Sequence, residues 1–188
     1  GGLGANFNQW WQRQLDMDRL GRNYFFEGQY YSWNRRSARN ATPLFWDAPH
    51  FSFYGNENNE RKNVAYGNVG LDYQISENLS ADVVVRRRFN SFENNGRTGW
   101  GGINTPSYSE STQRWSQNEA AASLNYNERF EDFDVSAVLG YQVTQNRAQA
   151  ISASTVGGLT VPDFYSIATS KDRPNYSSRL TKSKSQAT

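Results

Sequence analysis

The chain has 188 residues, 36% of them hydrophobic and 15% aromatic, and its 20 basic and 18 acidic side chains leave a net charge of +2. Such a balance argues against a nucleic-acid partner, and the absence of cysteine excludes disulfides and thiolate metal sites. A mean hydropathy of -0.86 leaves little material for a large soluble core, and no apolar run reaches the roughly 20 residues of a membrane-spanning helix, so any crossing must use strands.

Residues 1–62 read as a loop region with one short helix. The helix is expected over residues 8–20, capped by Asn6 or Asn8, with Phe7, Trp11 and Leu15 at four-residue spacing and Gly21 just past its end. The stretch that follows is rich in Asn, Arg and aromatics and is punctuated by Pro43 and Pro49, which suits an ordered loop.

Residues 63–89 read as a hairpin folded about Ser76, Glu77 and Asn78. Ala65, Gly67, Val69, Leu71, Tyr73 and Ile75 share one face, opposite Tyr66, Asn68, Gly70, Asp72 and Gln74. The return strand sets Leu79, Ala81, Val83 and Val85 against Ser80, Asp82, Arg86 and Arg88, with Val84 as the exception. Residues 90–118 then read as a long loop. A second hairpin, residues 119–145, folds about Arg129, Phe130, Glu131 and Asp132. There Ala120, Ala122, Leu124 and Tyr126 oppose Glu119, Ser123, Asn125 and Asn127, and Val135, Ala137, Leu139, Tyr141 and Val143 oppose Asp134, Ser136, Gly140, Gln142 and Thr144. Residues 146–188 read as a further loop, with turn-forming residues over 155–163, that stops short of another strand.

Alternation over about ten residues is the length a tilted strand needs to cross a bilayer, and short turns alternating with long loops mark outer-membrane barrels. Tyr73, Tyr126 and Phe133 fall near one rim of the apolar face and Phe89 and Tyr141 near the other, as two interfacial girdles require. The expected fold is therefore all-β, mainly antiparallel: a segment of a large transmembrane β-barrel with two hairpins, long extracellular loops and one short helix. Four strands cannot close a barrel, so the chain reads as an internal section of a larger wall. A soluble sandwich gives the same alternation, and a secreted carbohydrate-binding module is the alternative reading.

Four phrases occur in order along the chain: the run from Asn8 to Asp16 (NQWWQRQLD), the run from Pro43 to Pro49 (PLFWDAP), the run from Tyr66 to Leu71 (YGNVGL) and the run from Gly157 to Tyr165 (GGLTVPDFY). In order and spacing they resemble the SusC/RagA family of TonB-dependent outer-membrane transporters, across nearly the whole chain. That resemblance implies a plugged barrel of about 22 strands in the outer membrane of a Gram-negative cell, importing oligosaccharides or oligopeptides. It implies two partners: the TonB complex, acting through regions absent from this chain, and a SusD-like surface lipoprotein over the extracellular loops.

No catalytic constellation emerges, and neither a cofactor nor a metal is expected. His50 is the only histidine and reads as a loop residue; Asp16 with Asp18, Asp47, and Glu57 with Glu60 read as solvated carboxylates. Recognition of a glycan or peptide falls to aromatics, which offer large contact area with few rotors. Trp100, between Gly99 and Gly101–Gly102, is the leading candidate, followed by Trp46 and Trp33. Parity splits the arginine run: Arg86 and Arg88 face the lumen with Asp82, where they attract acidic cargo or pair with carboxylates, whereas Arg87 faces lipid and must snorkel from near the rim.

Overall fold

A computed structural model describes residues 15–22, 25–26, 29–31 and 33–188. The fold is all-β and mainly antiparallel. Five strands follow one another in a single sheet: β5 (Glu57–Ser76), β6 (Leu79–Thr98), β7 (Ser107–Arg129), β8 (Asp134–Leu159) and β9 (Ser170–Ala187). Two small two-stranded sheets precede them, β1 (Phe25–Phe26) with β2 (Gln29–Tyr30) and β3 (Arg35–Ser37) with β4 (Asn40–Pro43). The chain divides into two compact units, one of Gly1–Glu60, Asn94–Ser111 and Ser152–Ser177, the other of Arg61–Glu93, Thr112–Ile151 and Ser178–Thr188.

The second unit contains both short turns, at residues 77–78 and 130–133. In the latter, the Phe130 amide donates to the Phe133 carbonyl at 2.8 Å and the two rings stack with centroids 5.0 Å apart. Contacts between neighbouring strands agree with the expected polar face in this unit, although Tyr66 and Val138, of that same parity, are exposed as well. Gly67, Val69, Val85, Arg87 and Phe89 line one shallow groove, while Asp72 lies within hydrogen-bonding reach of Asp82 on the neighbouring strand. Apolar side chains on the first face remain bare: Val69 is 78% exposed, Leu71 67% and Val83 47%. On β8, Leu139 and Tyr141 are exposed as well.

The strands outrun the expectation. The loop expected over residues 90–118 shrinks to residues 99–106, because β6 continues to Thr98 and β7 begins at Ser107. The region 146–188 is likewise mostly strand, ending β8 at Leu159 and forming all of β9, with only residues 160–169 between them; residues 155–159 belong to β8 rather than to a loop. Strand pairing there rests on main-chain hydrogen bonds and short polar side chains, so no apolar alternation betrays it. The connections in the first unit, residues 99–106 and 160–169, are still longer than the turns in the second unit.

Among the described residues the first unit holds two short α-helices, where one helix was expected in residues 1–62. Helix α1 (Met17–Arg22) is capped by Asp16, whose Oδ1 accepts from the amides of Asp18 and Arg19 at 3.0 and 3.1 Å. Gly21 lies inside it rather than after its end, and approaches the His50 imidazole. Asn6, Asn8 and the rest of 1–14 lie outside the described residues. Helix α2 (Pro49–Tyr54) starts with proline at its first position, where no amide is needed. It carries His50 and buries Pro49 and Phe51. No helix among the described residues is long and apolar enough to cross a membrane.

Candidate functional site

Three groups of side chains carry the available chemistry, one in the second unit and two in the first. In the second unit the polar face of β5, β6 and β7 assembles around Asp82, whose Oδ2 accepts from Ser123 Oγ at 3.0 Å and from Asn125 Nδ2. Asp72 completes the group from β5. Along the same face, the Arg86 guanidinium donates to Glu119. Arg86 thus takes the carboxylate-pairing option, and Arg88 stays exposed. Sequence reading placed Asp72 and Asp82 on polar faces of different strands; only the register makes them neighbours.

In the first unit a strip of short polar side chains crosses all five long strands. Asn58, Asn94, Ser109, Ser111, Ser152 and Ser154 line it, and Asn175 and Ser177 close it from β9. Gly96 sits between Asn58 and Ser109, where a Cβ would come within 3.3 Å of Asn58 Oδ1 and 3.4 Å of Ser109 Oγ. Asn58 donates to Glu60 at 3.1 Å. The other lining serines and asparagines make no side-chain hydrogen bond to another described residue. Their hydroxyls and carboxamides, each both donor and acceptor, remain available. These positions lie in segments that read as loop from the sequence, so the strip was not legible there.

The third group is the packed loop cluster that holds the tryptophan candidates. Trp33, Trp46 and Trp100 are all half-buried. The glycines that flank Trp100 do not leave it in open space; they serve close approach. Gly99 abuts the Gly55 backbone, Gly101 (φ +92°) the Tyr30 ring and Gly102 the Phe51 ring. Phe51 in turn meets Tyr30 edge-on with centroids 4.5 Å apart. The Trp100 amide donates to the Tyr165 hydroxyl. Arg97 holds the Tyr165 ring from above at 4.9 Å and pairs with Glu57 at 2.8 Å. Tyr165 ends the run GGLTVPDFY, but its pairing with Arg97 was not anticipated, since the two lie far apart in sequence.

The carboxylates considered for acid–base work have structural partners. Asp16 caps α1, Asp18 pairs with Arg22, Glu57 with Arg97, and Glu60 accepts from Asn58. Asp47 Oδ1 accepts the Ile103 amide at 2.8 Å and so ties the β4–α2 segment to the β6–β7 connection. No group of three or more metal-ligating side chains occurs among the described residues.

Burial pushes the Asp47 carboxyl above its ordinary value of 3.8, and the Ile103 amide only partly offsets it. A raised folded value means that the folded state binds more protons than the unfolded state from about 3.8 upward. The contribution of Asp47 is therefore greatest in acid and is lost as pH rises through the raised value. A spin label at Asn104 should be least mobile in acid and loosen across that window, whereas Asp47→Asn, which keeps the acceptor without the charge, should remove the pH dependence. Identical profiles for the two proteins would refute this role.

No family model matches the chain, and no curated protein matches it.

Proposed function

We propose that the chain is a section of the wall of an outer-membrane β-barrel that imports an oligosaccharide or oligopeptide, with energy delivered through TonB and a SusD-like surface lipoprotein over its long connections. The observation that carries this reading is the sorting of side chains in the second unit. Val69, Leu71, Tyr73, Ile75, Val83 and Val85 are exposed on one face, and Asp72, Asp82, Arg86, Glu119, Ser123 and Asn125 occupy the other. An apolar face this bare needs a cover, and lipid on one side with a watery lumen on the other satisfies both faces.

The turns at residues 77–78 and 130–133 match the short periplasmic side of such a wall, and the connections at 99–106 and 160–169 the extracellular side. Between the two cargo classes, the serine and asparagine strip favours a glycan. Hydroxyls and carboxamides match sugar hydroxyls group for group, and neighbouring strands about 4.8 Å apart repeat them at the scale of a sugar ring. Trp46, Trp33 and Trp100 would contribute ring edges from the loop cluster, and Arg88 a free cation on the lumen side.

The secreted carbohydrate-binding sandwich uses the same strip but needs a second sheet over the apolar face. Two experiments separate the readings. Cells carrying the full-length gene should take up labelled oligosaccharide that cells without it do not, and the protein should fractionate with the outer membrane. Crosslinkers placed within residues 10–48 and 99–108 should capture a surface lipoprotein on whole cells. Recovery of the protein as a soluble glycan binder outside the cell would favour the sandwich.

A further inference from the structure

The apolar face of the second unit carries one feature that wall-building alone does not call for. Arg87 projects on that face between Val85 and Phe89, and the facing strand supplies Gly67, where an added Cβ would meet nothing within 4 Å. The missing side chain opens a groove of about 530 Å³ floored by Ala65, Gly67 and Val69 and walled by Val85, Arg87 and Phe89. That volume lies within the roughly 300–1,000 Å³ of small-molecule clefts.

The Arg87 charge is also uncompensated. Arg86 next to it has Glu119, but among the described residues no carboxylate pairs with Arg87. A guanidinium on an apolar face is costly unless it reaches an anion at the interface, and it is planar, always charged and matched to phosphate oxygens. Arg87 lies near the far end of the about ten residues that a tilted strand uses to cross, so its head reaches the interface while its stem follows the groove.

We propose that this groove is a seat for one anionic membrane lipid, its phosphate on the Arg87 guanidinium and an acyl chain laid over Gly67 between Val69 and Phe89. The seat rests on the membrane reading given above. Charge complementarity selects the headgroup and the glycine gap accepts the chain; an ordinary side chain at residue 67 would fill the path of that chain.

The test uses the full-length protein purified in detergent, titrated with phosphatidylglycerol or with phosphatidylcholine of the same acyl composition, and retained lipid counted by native mass spectrometry. Wild type should retain phosphatidylglycerol in preference to phosphatidylcholine. Arg87→Gln should lower phosphatidylglycerol retention about tenfold and leave phosphatidylcholine unchanged, while Gly67→Leu should lower both. Equal retention of the two lipids by wild type, or unchanged phosphatidylglycerol in both variants, overturns the seat. Displacement of phosphatidylglycerol by inorganic phosphate at comparable concentration also overturns it, since the site would then be an anion site without a chain. Heat-modifiable gel mobility of wild type reports the barrel separately: if it is present and lipid selectivity is absent, only the seat fails, and if mobility does not shift with heating, the membrane reading itself fails.

Discussion

Val83→Arg should nearly abolish assembly into the outer membrane, whereas Arg87→Leu, four residues along the same strand face, should leave it close to wild type. Val83 shares the apolar face with Leu71 and Val85, is 47% exposed, and lies deep in the segment that would cross the bilayer. A cation at the midplane of a barrel's lipid face costs about 2 to 4 kcal/mol, against about 0 to 1 near the interface. On the membrane reading Arg87 is tolerable, because the groove over Gly67 leaves room for its stem and its head would reach the interface. Removing that charge therefore costs assembly little, even though it should empty the lipid seat. Surface labelling of whole cells together with heat-modifiable mobility measures both variants. Equal surface levels would show that this strand face does not meet lipid.

The second large effect is expected in the loop cluster. Gly102→Ala should release the β6–β7 connection from α2. The new Cβ would come within 2.3 Å of Phe51 Cε1, 2.7 Å of its Cζ and 3.1 Å of Asp47 Oδ1. Phe51 cannot swing away, since it is 1% exposed and held edge-on against Tyr30. Gly99→Ala meets a harder neighbour still, with Gly55 backbone atoms 2.7 to 2.9 Å from the added carbon. Overpacking of this kind costs about 1 to 3 kcal/mol, which is roughly a five- to 150-fold rise in local opening. Amide exchange at Ile103, whose N–H is held by Asp47, should accelerate by that factor in each variant. Tyr73→Ala, on the exposed apolar face, should leave it unchanged. Wild-type exchange in both glycine variants would mean that the connection is not clamped as the geometry indicates.

If the loop cluster is clamped, the candidate aromatics serve as a rigid platform rather than as mobile arms. Trp100 is held through its own amide on Tyr165 and through the glycines on either side of it. Ligand contact would then fall to the parts of Trp33, Trp46 and Trp100 that remain accessible, and to the serine and asparagine strip in the same unit.

The sequence by itself determined the all-β class, the two short turns and the sorting of faces in the strands around them. Period-two alternation of Leu71, Tyr73 and Ile75 against Asp72 and Gln74, or of Val83 and Val85 against Asp82 and Arg86, is a property of local order, because successive side chains in a strand point to opposite faces. It could not announce the rest of the sheet. Residues 90–98, 107–118, 146–159 and 170–187 pair through their main chain while carrying Asn, Ser, Gln and Lys in place of a clear apolar alternation, so they read as loop. Register and packing decided the remainder. Asp72 beside Asp82, Arg86 on Glu119, Arg97 over Tyr165 and Gly102 against Phe51 are contacts between residues distant in sequence, fixed by how strands and loops align. Alternation tells a strand which way each side chain points, but only pairing with a neighbour says what it points at.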